Sequence, residues 1–172
     1  MSVADIGALA GAGVEIAGEN RAQDLAEKHA RYGDDFRWHF IGHLQSRKAA
    51  LVSELCELCH SLASESAARR LTIPALVEVN LSGEPTKSGI TPAELPRFLE
   101  TVQQHGVAVR GLMTMPPAAG DPEASRPYFA ELRELAGRHG LHELSMGTSQ
   151  DYRVAAEEGA TYVRVGSSLW QG

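Results

Sequence analysis

The sequence predicts an α/β fold in which parallel strands are joined by helical crossovers. Short apolar or β-branched runs alternate with longer stretches of helical apolar spacing, and no linker, repeat or low-complexity segment interrupts them. The chain of 172 residues is long enough for one domain with a substantial core and short for two. We therefore expect a single domain.

The alternation predicts seven strands and seven helices. The strand candidates are 14–17, 37–41, 58–62, 75–80, 108–113, 141–146 and 162–165. The helix candidates are roughly 3–11, 20–32, 44–54, 64–71, 92–105, 122–138 and 150–158. Seven strands fit either a doubly wound sheet or a (β/α)8 barrel of the TIM type that lacks one strand, and the pattern alone leaves both open.

Several helices carry their own start or stop signals. Pro92 and Pro122 each precede an apolar helical pattern, and proline suits the first helical position. Gly140 and Gly159 follow the sixth and seventh helical patterns, where glycine commonly ends a helix.

The overall composition is that of an ordinary globular protein, with 43% apolar and 22% charged residues. A net charge of −6 gives no general reason to expect nucleic-acid binding. No apolar run approaches the roughly 20 residues that span a membrane, and no basic-then-apolar signal segment opens the sequence. We therefore expect a cytoplasmic protein with neither a nucleic-acid nor a membrane partner.

The two cysteines, Cys56 and Cys59, stand in a C-x-x-C spacing followed by His60. This spacing is compatible with a redox pair or with half of a zinc site. Zinc needs two further ligands, and only His60 is close in sequence. We expect two small buried thiols at the end of a helix and in a buried strand.

The richest chemistry lies in two segments near the carboxyl end of the sequence. SMGTSQD at 145–151 runs from one strand into a helix, and VRVGSS at 163–168 runs out of the next strand. Glycine lets the backbone approach a ligand, hydroxyls donate hydrogen bonds, and a helix that begins near Ser149 or Gln150 points free N–H groups at an anion. Each segment alone also fits an ordinary turn and helix cap. Together, with Arg164 in the second, they favour a phosphate ligand.

The sequence resembles the pyridoxal phosphate homeostasis protein family, which is related to the barrel domain of alanine racemase. The resemblance covers nearly the whole chain in order, and its most specific part is the long run at 38–48. It rests on GENR at 18–21, WHFIGHLQSRK at 38–48, VNLS at 79–82, KSG at 87–89, GLMTMP at 111–116 and the two terminal segments. It implies an incomplete alanine racemase-like barrel that binds pyridoxal 5′-phosphate.

The resemblance also implies roles for individual residues. Ser149, Gly166 and Ser167 match residues that hold the cofactor phosphate, and Met146 and Gly147 lie in the same loop. Arg164 matches an arginine that faces the pyridine nitrogen. Asn20 matches a residue near the ring hydroxyl, and His39 lies at a strand end that lines the cofactor pocket. From the residues alone, Arg164 also fits a strand-end salt bridge, and His39 a hydrogen bond in the core.

The family's first strand, which carries the lysine that forms the Schiff base, has no counterpart in this sequence. Residues 1–13 resemble the helix that follows that strand and contain no lysine. The lysines present are Lys28, expected on the polar side of its helix, Lys48 and Lys87, and none matches the Schiff-base position. We expect a domain over 1–172 truncated at its amino end, with unpaired edges on the first and last strands. A genuine non-covalent relative stays the alternative.

The leading hypothesis is a cofactor-homeostasis protein that binds pyridoxal phosphate without turnover. It would deliver the cofactor to pyridoxal phosphate-dependent apo-enzymes, and open sheet edges would favour self-association. The rival is an alanine racemase-like isomerase, which needs a Schiff base and a second catalytic base. A third reading is a phosphate-binding barrel without the aldehyde chemistry.

Overall fold

The computed structural model describes residues 3–169, with side chains for residues 5–166, 168 and 169. Seven helices and seven strands alternate in this part of the chain, as predicted. The helices are α1 Val3–Gly11, α2 Ala22–Tyr32, α3 Ala49–Leu55, α4 Glu65–Ala68, α5 Leu95–Gln104, α6 Arg126–Arg138 and α7 Tyr152–Glu157. The strands are β1 Ile16–Glu19, β2 Arg37–Phe40, β3 Leu58–Leu62, β4 Ala75–Glu78, β5 Val109–Met113, β6 Glu143–Thr148 and β7 Tyr162–Arg164.

All seven strands form one parallel sheet in the order of the sequence, β1 to β7. Each strand pairs with the next, from Ile16 beside Arg37 at one edge to Thr148 beside Arg164 at the other. This order excludes the doubly wound sheet, in which the strand order reverses. The fold is the incomplete (β/α)8 barrel of the alanine racemase type, and in the described part of the chain β1 and β7 each have one neighbour.

Most of the core lies between the sheet and the surrounding helices. One cluster includes Leu25, Trp38 and Val52, and a second includes Phe129 and Met146. A third, smaller cluster fills the barrel interior because it joins side chains of four strands and no helix. Its members are Leu58, Leu76, Met113 and Tyr162.

The helix signals are correct at three of four positions. Gly140 and Gly159 take positive φ values of 66° and 91° just beyond α6 and α7. Pro122 begins a short 3-10 helix, Pro122–Ser125, that leads into α6. Pro92 lies in a turn instead, because α5 begins only at Leu95. Thr91 holds that turn, since its backbone N–H donates to Glu94 at 2.8 Å.

Lys28 corrects the prediction that it lies on the polar side of its helix. The residue is 5% exposed and forms a buried ion pair with Glu19. The other carboxylate oxygen of Glu19 accepts from the backbone N–H groups of Asn20, at 2.7 Å, and Arg21, at 3.2 Å. Glu19 thus needs a buried cation, and α2 supplies it one turn before its end.

Cys56 and Cys59 are free, buried thiols, as the packing interpretation predicted. Burial raises the pKa of Cys56 to about 12 and that of Cys59 to about 11, so both stay protonated. Among the described residues, no group of three metal-ligating side chains is present. Within residues 3–169, no helix has the length and apolar character needed to cross a membrane.

Candidate functional site

A cavity of about 410 Å3 lies between β1 and β7, where the barrel is open. Apolar residues of both edge strands form much of its wall. Four of its polar lining residues lie on strands β2, β3 and β7: His39, His60, Tyr162 and Arg164. Two of the predicted site residues, His39 and Arg164, therefore share one cavity, and Gly166 borders it.

The turns that follow β6 and β7 meet at Ser149. Its Oγ accepts from the backbone N–H of Gly166 at 3.2 Å and of Ser168 at 3.4 Å. A Cβ built on Gly166 would meet no atom of the described residues within 4 Å, so that part of the structure leaves space beside this glycine. The structure therefore brings Ser149 and Gly166 together as predicted. Ser167 belongs to the short 3-10 helix Ser167–Leu169, and its side chain lies outside the described part of the structure.

Met146 and Gly147 both lie in β6 and not, as predicted, in the loop that carries Ser149, and the backbone of β6 requires glycine at Gly147. Its φ is +87°, and a Cβ there would lie 2.5 Å from the Cβ of Ala155. Met146, its neighbour, is fully buried in the core between sheet and helices, so its side chain does not face the cavity.

The helix after β6 begins later than predicted, at Tyr152. Asp151 explains the delay, because its carboxylate accepts from the backbone N–H of Thr148 at 2.7 Å and from the hydroxyl of Ser125 at 2.7 Å. Ser149 and Gln150 consequently lie in a turn, and the anion donors at this rim are loop groups rather than the first turn of a helix.

Arg164 is held by neutral oxygen atoms. One guanidinium nitrogen donates to Ser145 Oγ at 2.5 Å and the other to the carbonyl oxygen of Thr114 at 2.9 Å. Among the described residues it has no carboxylate partner, so the salt-bridge interpretation is not supported within residues 3–169. Its Nε–H has no partner there either. Burial lowers the pKa of Arg164 to about 10, so the side chain remains charged at neutral pH.

His39 and His60 form a buried pair inside the barrel. His39 Nδ1 lies 2.9 Å from His60 Nε2, and His60 Nδ1 lies 2.8 Å from Ser145 Oγ. Burial, together with nearby cationic or imidazole groups, lowers the pKa of His39 to about 4 and that of His60 to about 3. Both rings are neutral at neutral pH. His39 therefore satisfies a core hydrogen bond and also lines the cavity, so the two interpretations of this residue are compatible.

Asn20 is not brought together with the other predicted residues. It is exposed and lines a neighbouring cavity of about 270 Å3 at the ends of β1 and β2. That cavity has a basic character because Arg21, His43, Arg47 and Lys48 contribute to its wall.

Glu78 is a buried acid that the sequence reasoning missed. It is 6% exposed, and its Oε2 has no hydrogen-bond partner among the described residues. Burial raises its pKa to about 7, although the charge of Arg164 acts in the opposite direction. The available signal was a lone acidic residue inside an apolar strand, Ala75–Glu78.

Comparisons with known proteins agree with this fold. The family model for the alanine racemase N-terminal domain matches residues 8–172. The pyridoxal phosphate homeostasis protein of Aquifex aeolicus is 41% identical over 175 residues, covering 92% of this chain and 77% of that protein. Its counterpart in Pseudomonas aeruginosa is 40% identical over 172 residues, covering 92% and 75%.

Among solved structures, PipY of Synechococcus elongatus, determined without pyridoxal phosphate, superimposes with a TM-score of 0.87 at 35% identity. The match covers 98% of this chain and 87% of PipY. A second PipY structure, with pyridoxal phosphate bound, gives the same TM-score at 34% identity. The chain therefore belongs to the alanine racemase N-terminal domain class and, within it, to the pyridoxal phosphate homeostasis protein family.

Proposed function

We propose that this protein binds pyridoxal 5′-phosphate non-covalently and serves cofactor homeostasis in the cytoplasm, without turnover of its own. The observation that carries the proposal is the meeting of two backbone N–H groups, of Gly166 and Ser168, at the hydroxyl of Ser149. This cluster adjoins the cavity that Arg164 lines. The free thiols of Cys56 and Cys59 fit the reducing conditions of that compartment.

The donor set at this rim fits a phosphate group. A phosphate binds preferentially where several backbone N–H groups and hydroxyls converge, because each donates a charge-assisted hydrogen bond. Ser149, Gly166 and Ser168 supply one hydroxyl and two N–H groups, and the space beside Gly166 leaves room for oxygen atoms. Gly147 allows the close packing of the turn that carries Ser149.

The cavity also fits an aromatic ring with a basic nitrogen. The Nε–H of Arg164 is available to donate to an unprotonated pyridine nitrogen. A charged guanidinium there disfavours protonation of that nitrogen, because two positive charges would be adjacent. Bound pyridoxal phosphate supplies an electron-withdrawing ring and an aldehyde, and an unprotonated ring withdraws electrons less strongly. Such a site suits storage and delivery better than amino-acid chemistry.

Three of the predicted contacts remain predictions. Asn20 lines the neighbouring cavity, the side chain of Met146 lies in the core, and the side chain of Ser167 lies outside the described part. The proposed phosphate contacts are therefore Ser149 and Gly166, with Ser168 added, and the proposed ring contacts are Arg164 and His39.

The lysines support the non-covalent proposal by their positions. Lys28 is committed to its ion pair with Glu19, and Lys48 lies in the neighbouring basic cavity. Lys87 donates to the carbonyl oxygen of Met115 at 3.0 Å. Because the sulfur of Met115 contacts Arg164, Lys87 is the lysine on which a covalent adduct would first be sought.

Titration with pyridoxal phosphate, followed by absorbance and calorimetry, tests the proposal. Ser149→Ala and Arg164→Gln should each weaken binding about tenfold, the expected loss when a hydrogen bond to a charged group is removed. Ser66→Ala, at an exposed serine of α4, is the matched control and should bind like wild type.

Three results would contradict the proposal. Absence of saturable binding to wild-type protein would remove it entirely. A borohydride-reduced adduct on Lys87, detected by mass spectrometry, would show that binding is covalent. Alanine racemase activity of the protein with pyridoxal phosphate bound would show that it is an enzyme and not a storage protein.

The partners that we propose are pyridoxal phosphate-dependent apo-enzymes, which would receive the cofactor, and a second copy of this chain. The second proposal rests on the edges of β1 and β7, which are unpaired among the described residues, and on Ile16 and Val163, which are 37% and 41% exposed. Sedimentation velocity over a range of concentrations should show a concentration-dependent dimer. Transfer of the cofactor to an apo-transaminase, measured by recovered activity, tests the first.

A further inference from the structure

A continuous chain of hydrogen bonds crosses the interior of the barrel and ends on Arg164. It runs from His39 on β2 to His60 on β3, then to Ser145 on β6 and finally to Arg164 on β7, with distances of 2.9, 2.8 and 2.5 Å. The two histidines and the serine are each at most 2% exposed. Every donor and acceptor in such a buried chain needs a hydrogen-bond partner, because an unpaired buried polar group is costly.

The direction of this chain follows from its two ends. Arginine only donates, so Ser145 Oγ accepts from Arg164. Both imidazoles are neutral, and each therefore has one N–H and one acceptor nitrogen. In the first arrangement, Ser145 O–H donates to His60 Nδ1, and His60 Nε2–H donates to His39 Nδ1.

The second arrangement reverses both bonds, so that Ser145 Oγ accepts twice. Its own proton is then left without a partner among the described residues, although the hydroxyl is fully buried. Burying a donor without a partner is costly, which favours the first arrangement.

We propose that His39, His60 and Ser145 form a positioning relay that fixes the guanidinium of Arg164 at the cavity. The relay rests on the proposed function, because it matters only if the ligand presents a ring nitrogen to Arg164. It turns the hydroxyl proton of Ser145 toward His60 and so offers an oxygen lone pair to Arg164. The carbonyl oxygen of Thr114 anchors the other guanidinium nitrogen. Because both terminal nitrogens are held, the direction of the Nε–H is fixed as well.

Tyr162 holds the relay rings in place from the cavity side. Its ring packs edge-on against His39, with centroids 5.6 Å apart, and against His60, with centroids 5.0 Å apart. A rotation of either imidazole would break this packing and a hydrogen bond together. The relay is therefore a rigid support for Arg164, and among the described residues no hydrogen bond joins His39, His60 or Ser145 to Ser149.

Binding of two probes separates a positioning role from a merely structural one. The probes are pyridoxal phosphate, which has the ring nitrogen, and inorganic phosphate, which does not. His60→Leu and Ser145→Ala should each weaken pyridoxal phosphate about tenfold, the size of one lost hydrogen bond to a charged group, and leave inorganic phosphate unchanged. The double variant should bind pyridoxal phosphate with no lower affinity than the single variant that loses more, because both substitutions act through Arg164.

Two further variants keep this test decisive. His60→Gln retains a side-chain amide that both accepts and donates, so it should restore most of the affinity for pyridoxal phosphate. His142→Gln changes an exposed histidine and should bind both probes like wild type. Equal losses for the two probes, or unchanged affinity in His60→Leu, would overturn the relay.

Tautomers measured in the free protein give an independent readout. Long-range 1H–15N spectra should show His39 and His60 neutral and protonated on Nε2, and Ser145→Ala should shift the His60 Nδ1 signal. Protonation of His60 on Nδ1 would overturn the relay. If wild-type protein fails to bind pyridoxal phosphate, the proposed function fails, while these spectra still decide the relay.

Discussion

The barrel has a closed side, formed by β3, β4 and β5, and an open margin, formed by β1 and β7. Every residue of β3 and β4 is buried, and each strand of the closed side pairs with two neighbours. Each strand of the open margin pairs with one neighbour among the described residues, and β7 spans three residues, of which none is fully buried. The strand with the fewest backbone partners nevertheless carries Arg164.

The buried ionisable groups on the two sides of the barrel also differ in their charge state at neutral pH. Burial on the closed side is complete enough to raise the pKa of the Glu78 carboxyl to about 7. At the open margin, burial lowers the pKa of Arg164 from its ordinary value of 12.5 to about 10, a shift of similar size. The cation nevertheless persists at neutral pH, because arginine starts from so high a pKa. A shift of this size therefore makes a carboxyl half neutral near pH 7 and leaves an arginine charged.

The largest expected effect tests whether the open margin is loose throughout. Lys28→Met removes the buried partner of Glu19, the last residue of β1, and should lower the free energy of unfolding by about 3–5 kcal/mol. Arg31→Met, at an exposed position of the same helix, is the matched control. Urea unfolding measures both, and equal losses would show that the Glu19 anchor contributes no rigidity to this edge.

The pH dependence of stability tests the neutral interior. The pKa values of His39 and His60 are lowered on folding, so their contribution is complete above about pH 6.5 and is lost as the pH falls towards about 4 and 3. Lowering the pH from about 7 to about 5 should reduce the free energy of unfolding by on the order of 2 kcal/mol for each imidazole, through the linkage to proton binding.

Glu78 acts with the opposite sign. Its pKa is raised on folding, so its contribution is present below about pH 4.5 and is lost as the pH rises through about 7. Glu78→Gln should therefore steepen the acid loss, and His60→Leu should flatten it. Chemical unfolding at a series of pH values measures both slopes, and parallel slopes in all three proteins would contradict this account.

The smallest effects compare the same substitution on the two sides. Val77→Ala, at a fully buried position of β4, should cost about 2 kcal/mol because it removes two buried methyl groups and leaves a cavity. Val163→Ala, at a 41% exposed position of β7, should cost less than about 0.5 kcal/mol. Thermal unfolding of the two variants checks the ratio, and similar shifts would mean that β7 is as well packed as β4.

The order of the elements could be predicted from the sequence because alternation of apolar runs and helical spacing is a local property. The sequence could not predict which face of the sheet each strand residue points to. Residues 58–62 are all buried, so no solvent-exposed position shows that His60 points into the barrel and Cys59 into the helix layer. Pairing irregularities between β3 and β4 and between β6 and β7 further displace the side chains from a simple period of two.

The site was predictable in part for the same reason. Ser149 follows β6, Arg164 ends β7 and Gly166 follows β7, so these residues could be expected at one rim. The link from Arg164 through Ser145 to His60 joins residues as much as 104 positions apart along the chain and depends on which side chains cross the barrel. The burial of Lys28 depends likewise on a carboxylate that no periodicity connects to it.

The hydroxyl of Ser149 has a consequence for the speed of ligand capture. In the free protein, the Ser149 oxygen accepts hydrogen bonds from the N–H groups of Gly166 and Ser168 and so holds both turns in one geometry. Under the proposed function, a phosphate oxygen replaces the Ser149 oxygen as the acceptor of these N–H groups, and no further backbone has to become ordered. A preformed rim of this kind would let a phosphate ligand bind and leave without refolding of either turn.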